Sequence, residues 1–387
     1  MLALRLARGT HPLVLLRRLM VAAASAGVGF LLLCTLTYAL AHPDDSGASV
    51  VRLLWCLAPL AATVHFAVAV ARTDPGTRLR SGLSAVGLGP ARLAALAAVS
   101  TAVACSLGSM LALLFFLHLR GDLTGLPFDA DAAELLAAEQ PLPLGAVLTL
   151  LSLVPVLATV AAALALRPRP AKPGEETDPD RPAAPMAAPP GLPWGVALAA
   201  AGLAVETYAS RGAAQSALPL PGQVADGPAG VLAGWALTAV GLALAGPGIT
   251  HLCGRLLQTA RPGATRLLAG RVLMEEAQRI GRPLGVVCAV ASGAIAASTV
   301  YGTSSDVFGP VTALGVILVM ACTTATLLTA VLEARQARAQ TRTNLLRLGT
   351  SLAALHQATA LRAVALLVAF VPLTWAVATL AAAPLSP

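Results

Sequence analysis

His65 and Glu206 are ionisable side chains that fall inside long apolar runs of this 387-residue chain. Ionisable groups buried in a bilayer are costly and are functional candidates by default. Each stands alone, whereas a proton relay needs several in register. His65 is therefore expected to be a satisfied histidine of a bundle interior, and Glu206 an interface residue near the outer surface. The commoner chemistries lack their residues. A phosphate-binding loop needs a lysine followed by serine or threonine, but the only lysine is Lys172 and Pro173 follows it. The chain has no H-E-x-x-H, no G-x-S-x-G and no paired carboxylates within an apolar run, so metalloprotease, serine hydrolase and carboxylate-dyad readings have nothing to stand on. No catalytic residue, cofactor or metal site is expected. Six cysteines are scattered singly without a C-x-x-C pair, which reads as small core residues rather than zinc ligands or disulfides.

The strongest signal is a repeat. LRSGLSAVGLGPARLAAL at 79 to 96 returns as TRTNLLRLGTSLAALHQA at 341 to 358, and at one offset of 262 Arg80 falls on Arg342, Leu83 on Leu345, Val86 on Leu348 and Gly87 on Gly349. Each copy lies between two apolar runs. A polar, Arg-bearing segment with a Leu-x-x-(Val/Leu)-Gly centre can form a short helix at the bilayer surface, apolar residues on one side and arginines on the other. Both copies are read as docking elements, with Pro90, Arg92 and Arg347 beside the repeated core.

Composition supplies the elements that carry them. With 57% hydrophobic and 11% charged residues and a mean hydropathy of +0.78, the chain is far more apolar than soluble proteins, whose charged share is about 25%. The net charge of +8 does not point to nucleic acid, because aromatics make up only 4% and the arginines cluster beside apolar runs. The expected fold is all-α and polytopic. Apolar windows of about 20 residues fall at 19–41, 51–71, 93–117, 144–166, 194–210, 229–250, 284–301, 311–331 and 363–383, nine in all. The first is longer than a signal-peptide core and is kept as an uncleaved span.

With the N-terminus inside, segments 1–18, 72–92, 167–193, 251–283 and 332–362 hold 23 of the 26 Lys+Arg, leaving only Arg52, Arg120 and Arg211 outside. That asymmetry follows the positive-inside rule and places the N-terminus in the cytoplasm of a cell-membrane protein. Segment 167–193 is dense in proline and charge and reads as a disordered linker between halves. The domains are then a first repeat at 1–166, the linker, connector spans at 194–266 and a second repeat at 267–387. The DAAELLAA stretch near 130 reads as a short helix in an outer loop. Segment 266–283 reads as a helix lying amphipathically along the inner leaflet, with Leu267, Leu268, Val272, Ala277 and Ile280 on its apolar side and Gly281 and Pro283 stopping it before the next span.

An Arg-flanked pre-span helix, a span, an outer loop, a second span, then an Arg-rich Leu-x-x-Leu-Gly segment before a third span resembles the FtsX/MacB-type permeases of ABC transporters. The resemblance covers about 1 to 166 and 267 to 387, two repeats joined by a connector pair of spans. It implies that Arg80, Leu83, Val86, Gly87, Pro90 and Arg92, and Arg342, Leu345, Arg347, Leu348 and Gly349, form coupling helices that seat on a separate ATPase acting as a homodimer. The function implied is export of a lipophilic or amphipathic substrate, its identity unknown, or as an alternative the transmission of an ATPase cycle to an outer cell-wall enzyme or sensor. The chain departs from the family at Leu79 and Thr341, where a glutamate is usual, in the short loops 42–49 and 301–309, where large outer domains are common, and in lacking a tenth span.

Overall fold

The structure is a computed structural model that describes residues 12–73, 90–122, 136, 138, 140–167, 189–211, 217–218, 227–259, 263–301 and 309–383. The helices are α1 (Pro12–Ala41), α2 (Ser46–Trp55), α3 (Leu57–Thr73), α4 (Pro90–Arg120), α5 (Leu144–Ala165), α6 (Gly191–Arg211), α7 (Ala229–Gln258), α8 (Ala264–Glu275), α9 (Ala277–Tyr301), α10 (Pro310–Ala337), α11 (Ala339–Arg347) and α12 (Leu352–Ala382). One two-residue antiparallel pair, β1 (Ala217–Leu218) with β2 (Gly227–Pro228), precedes α7. Among the described residues nine helical stretches are long and apolar enough to cross a membrane, α2 and α3 counting as one. The protein is an all-α, multi-pass membrane protein.

The helices overrun the apolar windows that announce them. α12 begins at Leu352 and runs for 31 residues, about 46 Å at 1.5 Å per residue, against a hydrocarbon core of about 30 Å. The repeat reaches into these boundaries. The offset of 262 that relates the two polar segments carries both ends of α4 onto both ends of α12, and the α2–α3 span and α10 are each 28 residues long.

Two compact units emerge. The first holds α1 to α5 and the start of α10, to Thr326; the second holds α6 to α9, the rest of α10 from Leu327, α11 and α12. In the first, α1 packs on α4 and α4 on α5. Without a hydrophobic drive between helices in lipid, such contacts depend on close approach and hydrogen bonds. Ser25 Oγ donates to the Cys105 carbonyl at 2.8 Å and Ser109 Oγ to that of Leu151 at 3.0 Å. A Cβ on Gly29 would lie 2.9 Å from that of Ala112. All six cysteines are buried and free, as core residues should be.

In the second unit α7 is central, packing on α6, α8 and α9. Gly195 and Gly202 of α6 face Gly241 and Gly234 of α7, backbone against backbone. On its other side, α7 meets α9 where Gly246 abuts Gly281; a Cβ on Gly281 would stand 2.5 Å from Pro247 Cα. This corrects the expectation that Gly281 and Pro283 end a helix. α9 runs through both, because the glycine is used for close packing and a transmembrane helix tolerates an internal proline when neighbours support it. The break falls instead at Glu276, between α8 and α9. The buried face of α8 is Ala269, Gly270 and Leu273, while Leu267 remains 43% exposed. Gly270 approaches Gly254 of α7, so α8 packs on a helix where a leaflet-facing stripe was expected.

Candidate functional site

The second copy of the repeated segment is described in full. α10 gives way at Arg338, α11 follows, and the chain reaches α12 through Leu348, Gly349, Thr350 and Ser351. Gly349 has φ +88°, the left-handed conformation that ends many helices. Its N–H donates to the Leu346 carbonyl and the Thr350 N–H to that of Leu345, each at 3.1 Å, the paired bonds of a Schellman turn. Ser351 then caps α12, its Oγ accepting from the Ala354 N–H at 3.2 Å. Helix end, glycine and cap thus occupy four consecutive positions, and the connection between two spans is a defined corner.

This corner presents side chains outward. Arg342, Arg347 and Gly349 are exposed and Leu345 is half-buried; Leu348 at the tip is 82% exposed. Of the first copy, Arg80, Leu83, Val86 and Gly87 lie outside the described residues. Pro90 is the first residue of α4 and Arg92 is exposed. The DAAELLAA stretch also lies largely outside the described set.

The corner is tied down at its base. Arg338 Nε lies 2.7 Å from Glu276 Oε1 and also donates to the Ala334 carbonyl at 3.2 Å. Glu276 caps α8 and starts α9, its carbonyl accepting from the N–H groups of Arg279 and Ile280 at 2.9 Å. Burial pushes the Glu276 carboxyl above its usual range, against the pull of Arg338 and Arg279; burial lowers Arg338, against the pull of Glu276. Sequence reading missed this pair, although Glu275 and Glu276, adjacent acids in an Arg-rich connection, were the available signal.

The two intramembrane candidates part company. His65 is exposed on α3, while Thr63, Phe66 and Ala67 form the buried face; a bundle-interior position is not what the structure gives it. Glu206, expected as an interface residue near the outer surface, is fully buried in the contact of α6 with Gly234 of α7. His251, taken as the start of a connection, is a buried residue of α7. Arg52 and Arg120, at the end of the first unit away from its arginine-bearing ends, are both held: the Arg52 guanidinium stands 3.4 Å from the Tyr38 ring centroid, and Arg120 donates to the carbonyls of Ala138 and Gln140 beside Asp122.

No family model matches the chain, and comparison with curated proteins and with solved structures finds no match either.

Proposed function

We propose that this chain is the membrane-spanning permease subunit of an ABC transporter, related to the FtsX/MacB type, and that it couples ATP hydrolysis by a separate ATPase subunit to export of a lipophilic or amphipathic substrate. The observation that carries the reading is the corner at α11. An Arg-bearing helix ends on a left-handed glycine between two membrane helices and holds an 82% exposed leucine at its tip. A leucine projecting from a polar, cationic segment has the form of a knob for a partner's cleft, with Arg342 and Arg347 at its rim. The Glu276–Arg338 contact supports the same reading, because it fastens the base of the corner to the α8–α9 junction and so gives a push on α11 a route into α9. The lone Lys172 gives the chain no phosphate-binding lysine of its own, and the ATPase is taken to be a homodimer because the sequence carries two such segments. The partition of 23 of 26 basic residues supports a cell-membrane protein with its N-terminus and both docking segments in the cytoplasm.

The test is reconstitution with the ATPase. The purified chain should hydrolyse no ATP, and a co-expressed ATPase should co-purify with it. Leu83→Ala with Leu348→Ala should abolish that co-purification while membrane abundance stays at the wild-type level. Retained ATPase binding by this double variant would sink the docking reading.

A further inference from the structure

We propose that Glu206 is a proton-binding site, on whose neutral carboxylic acid α6 and α7 close, and that loss of this proton loosens their crossing. The side chain is 0% exposed. Neither carboxyl oxygen has a hydrogen-bond partner. Its place is set by two glycines. A Cβ on Gly234 of α7 would lie 3.0 Å from Glu206 N and 3.1 Å from Glu206 Cβ, so the backbones meet at the residue that bears the carboxyl. One turn earlier on α6, Gly202 faces Thr238 of α7 in the same way.

The surroundings offer a negative charge nothing. Among the described residues no charged side chain interacts with Glu206. On α7 the Thr238 hydroxyl, which meets Gly202 one turn from Glu206, and the indole N–H of Trp235, next in sequence to Gly234, are buried without a partner. From α9 and α12 the approach is apolar, through Ala296, Ala381 and Ala382 beside Leu203 of α6. The ionisable residues of those helices described nearest this end are His251 of α7, Cys288 of α9 and Arg362 of α12; at 3.6 residues per turn His251 lies about five turns along from Gly234, Arg362 about five from Ala381, and Cys288 about two from Ala296. On α6 itself Tyr208 is exposed, and the side chains of Arg211 and of Tyr301 on α9 lie outside the described set. An isolated ionised carboxylate in such a place takes up a proton instead. The neutral acid then carries one O–H donor and one carbonyl acceptor and no charge.

The proposal is independent of any transport role and is tested on the full chain in detergent micelles. A carboxyl that is neutral when folded and ionised when unfolded gives the native state one extra proton. Stability then falls as pH rises, by up to about tenfold in the folding equilibrium per pH unit. Glu206→Gln preserves the neutral shape and removes the proton. Its melting temperature should match that of the wild type near about pH 5, where carboxyls begin to protonate in the unfolded chain, and exceed it by a growing margin as pH is raised. Parallel profiles, a variant destabilised equally at every pH, or a variant that fails to accumulate would each overturn the proposal. As a second measurement that needs no variant, the wild-type chain is treated with dicyclohexylcarbodiimide, which adds to protonated carboxyls in apolar surroundings. An adduct mapped to Glu206 at neutral pH upholds the proposal, and its absence there overturns it.

Discussion

Glu276 and Arg338 join two helix breaks through one 2.7 Å contact, the carboxylate at the α8–α9 junction and the guanidinium at the α10–α11 junction. Their side chains are only 11% and 28% exposed, and burial is the larger influence on both. A pair of this kind adds little net stability, yet removing one partner strands the other's charge. Glu276→Met or Arg338→Met alone should therefore cost about 2 kcal/mol, the scale of a hydrogen bond to a charged group, while the double substitution should restore most of the loss. Thermal melts of the three variants in micelles decide it; additive losses would show that the two residues do not act as a pair.

The corner at Gly349 sets a second expectation. With φ at +88°, a side chain there is strained by about 1–2 kcal/mol for an ordinary L-residue, and β-branching makes it worse. Gly349→Val should unwind the end of α11 and abolish co-purification of the proposed ATPase without lowering membrane abundance. Gly349→Asn, which tolerates the left-handed region better, should retain part of the binding. Equal binding by wild type and Gly349→Val would show that the turn is irrelevant to docking.

Leucine and arginine should behave differently at that corner. Truncating an apolar anchor costs about 2 kcal/mol or more when it is a hot spot, whereas a rim charge mainly alters salt-sensitive association. Leu348→Ala should lose the ATPase at every ionic strength, and Arg342→Ala only at raised salt. A salt titration of the pull-down separates them, and the reverse order would assign the binding to charge.

Glycine substitutions in the second unit should divide by sign. A Cβ on Gly241 would stand 2.7 Å from the Gly195 carbonyl oxygen, while one on Gly293 meets nothing within 4 Å. Gly241→Ala should destabilise by about 1–3 kcal/mol through overpacking. Gly293→Ala should be neutral or stabilising by up to about 1 kcal/mol, the helix-propensity difference. Melting temperatures of the two variants test this directly.

Orientation can be read with maleimides, because the six native cysteines are buried and free and give a quiet background. Cysteines at the exposed positions Ser46 and Thr341 should react from opposite faces. In intact cells an impermeant reagent should label Ser46→Cys, and it should reach Thr341→Cys only after permeabilisation. Labelling of both from outside would reverse or miscount the spans.

From the sequence by itself came what depends on composition and local chemistry. Each of the nine apolar windows became a long helix among the described residues, because about 20 apolar residues in a row leave the backbone no partner in lipid but itself. The Leu-x-x-Leu-Gly signal at 345–349 became a helix closed by a left-handed glycine, because that turn is made within a few residues. What the sequence could not decide is which side of each span faces inward. Lipid and helix neighbour are equally apolar, so the periodicity that marks the core of a soluble helix fades, and nothing beside His65 or Glu206 in sequence says which side of its span the residue takes. Only tertiary packing put His65 on the exposed side of α3 and drew Glu206 against Gly234. The same holds for Gly281, which reads locally as a helix stop and serves instead as the contact with Gly246, and for Glu276 and Arg338, whose pairing depends on a long-range meeting of helix ends that no local pattern encodes.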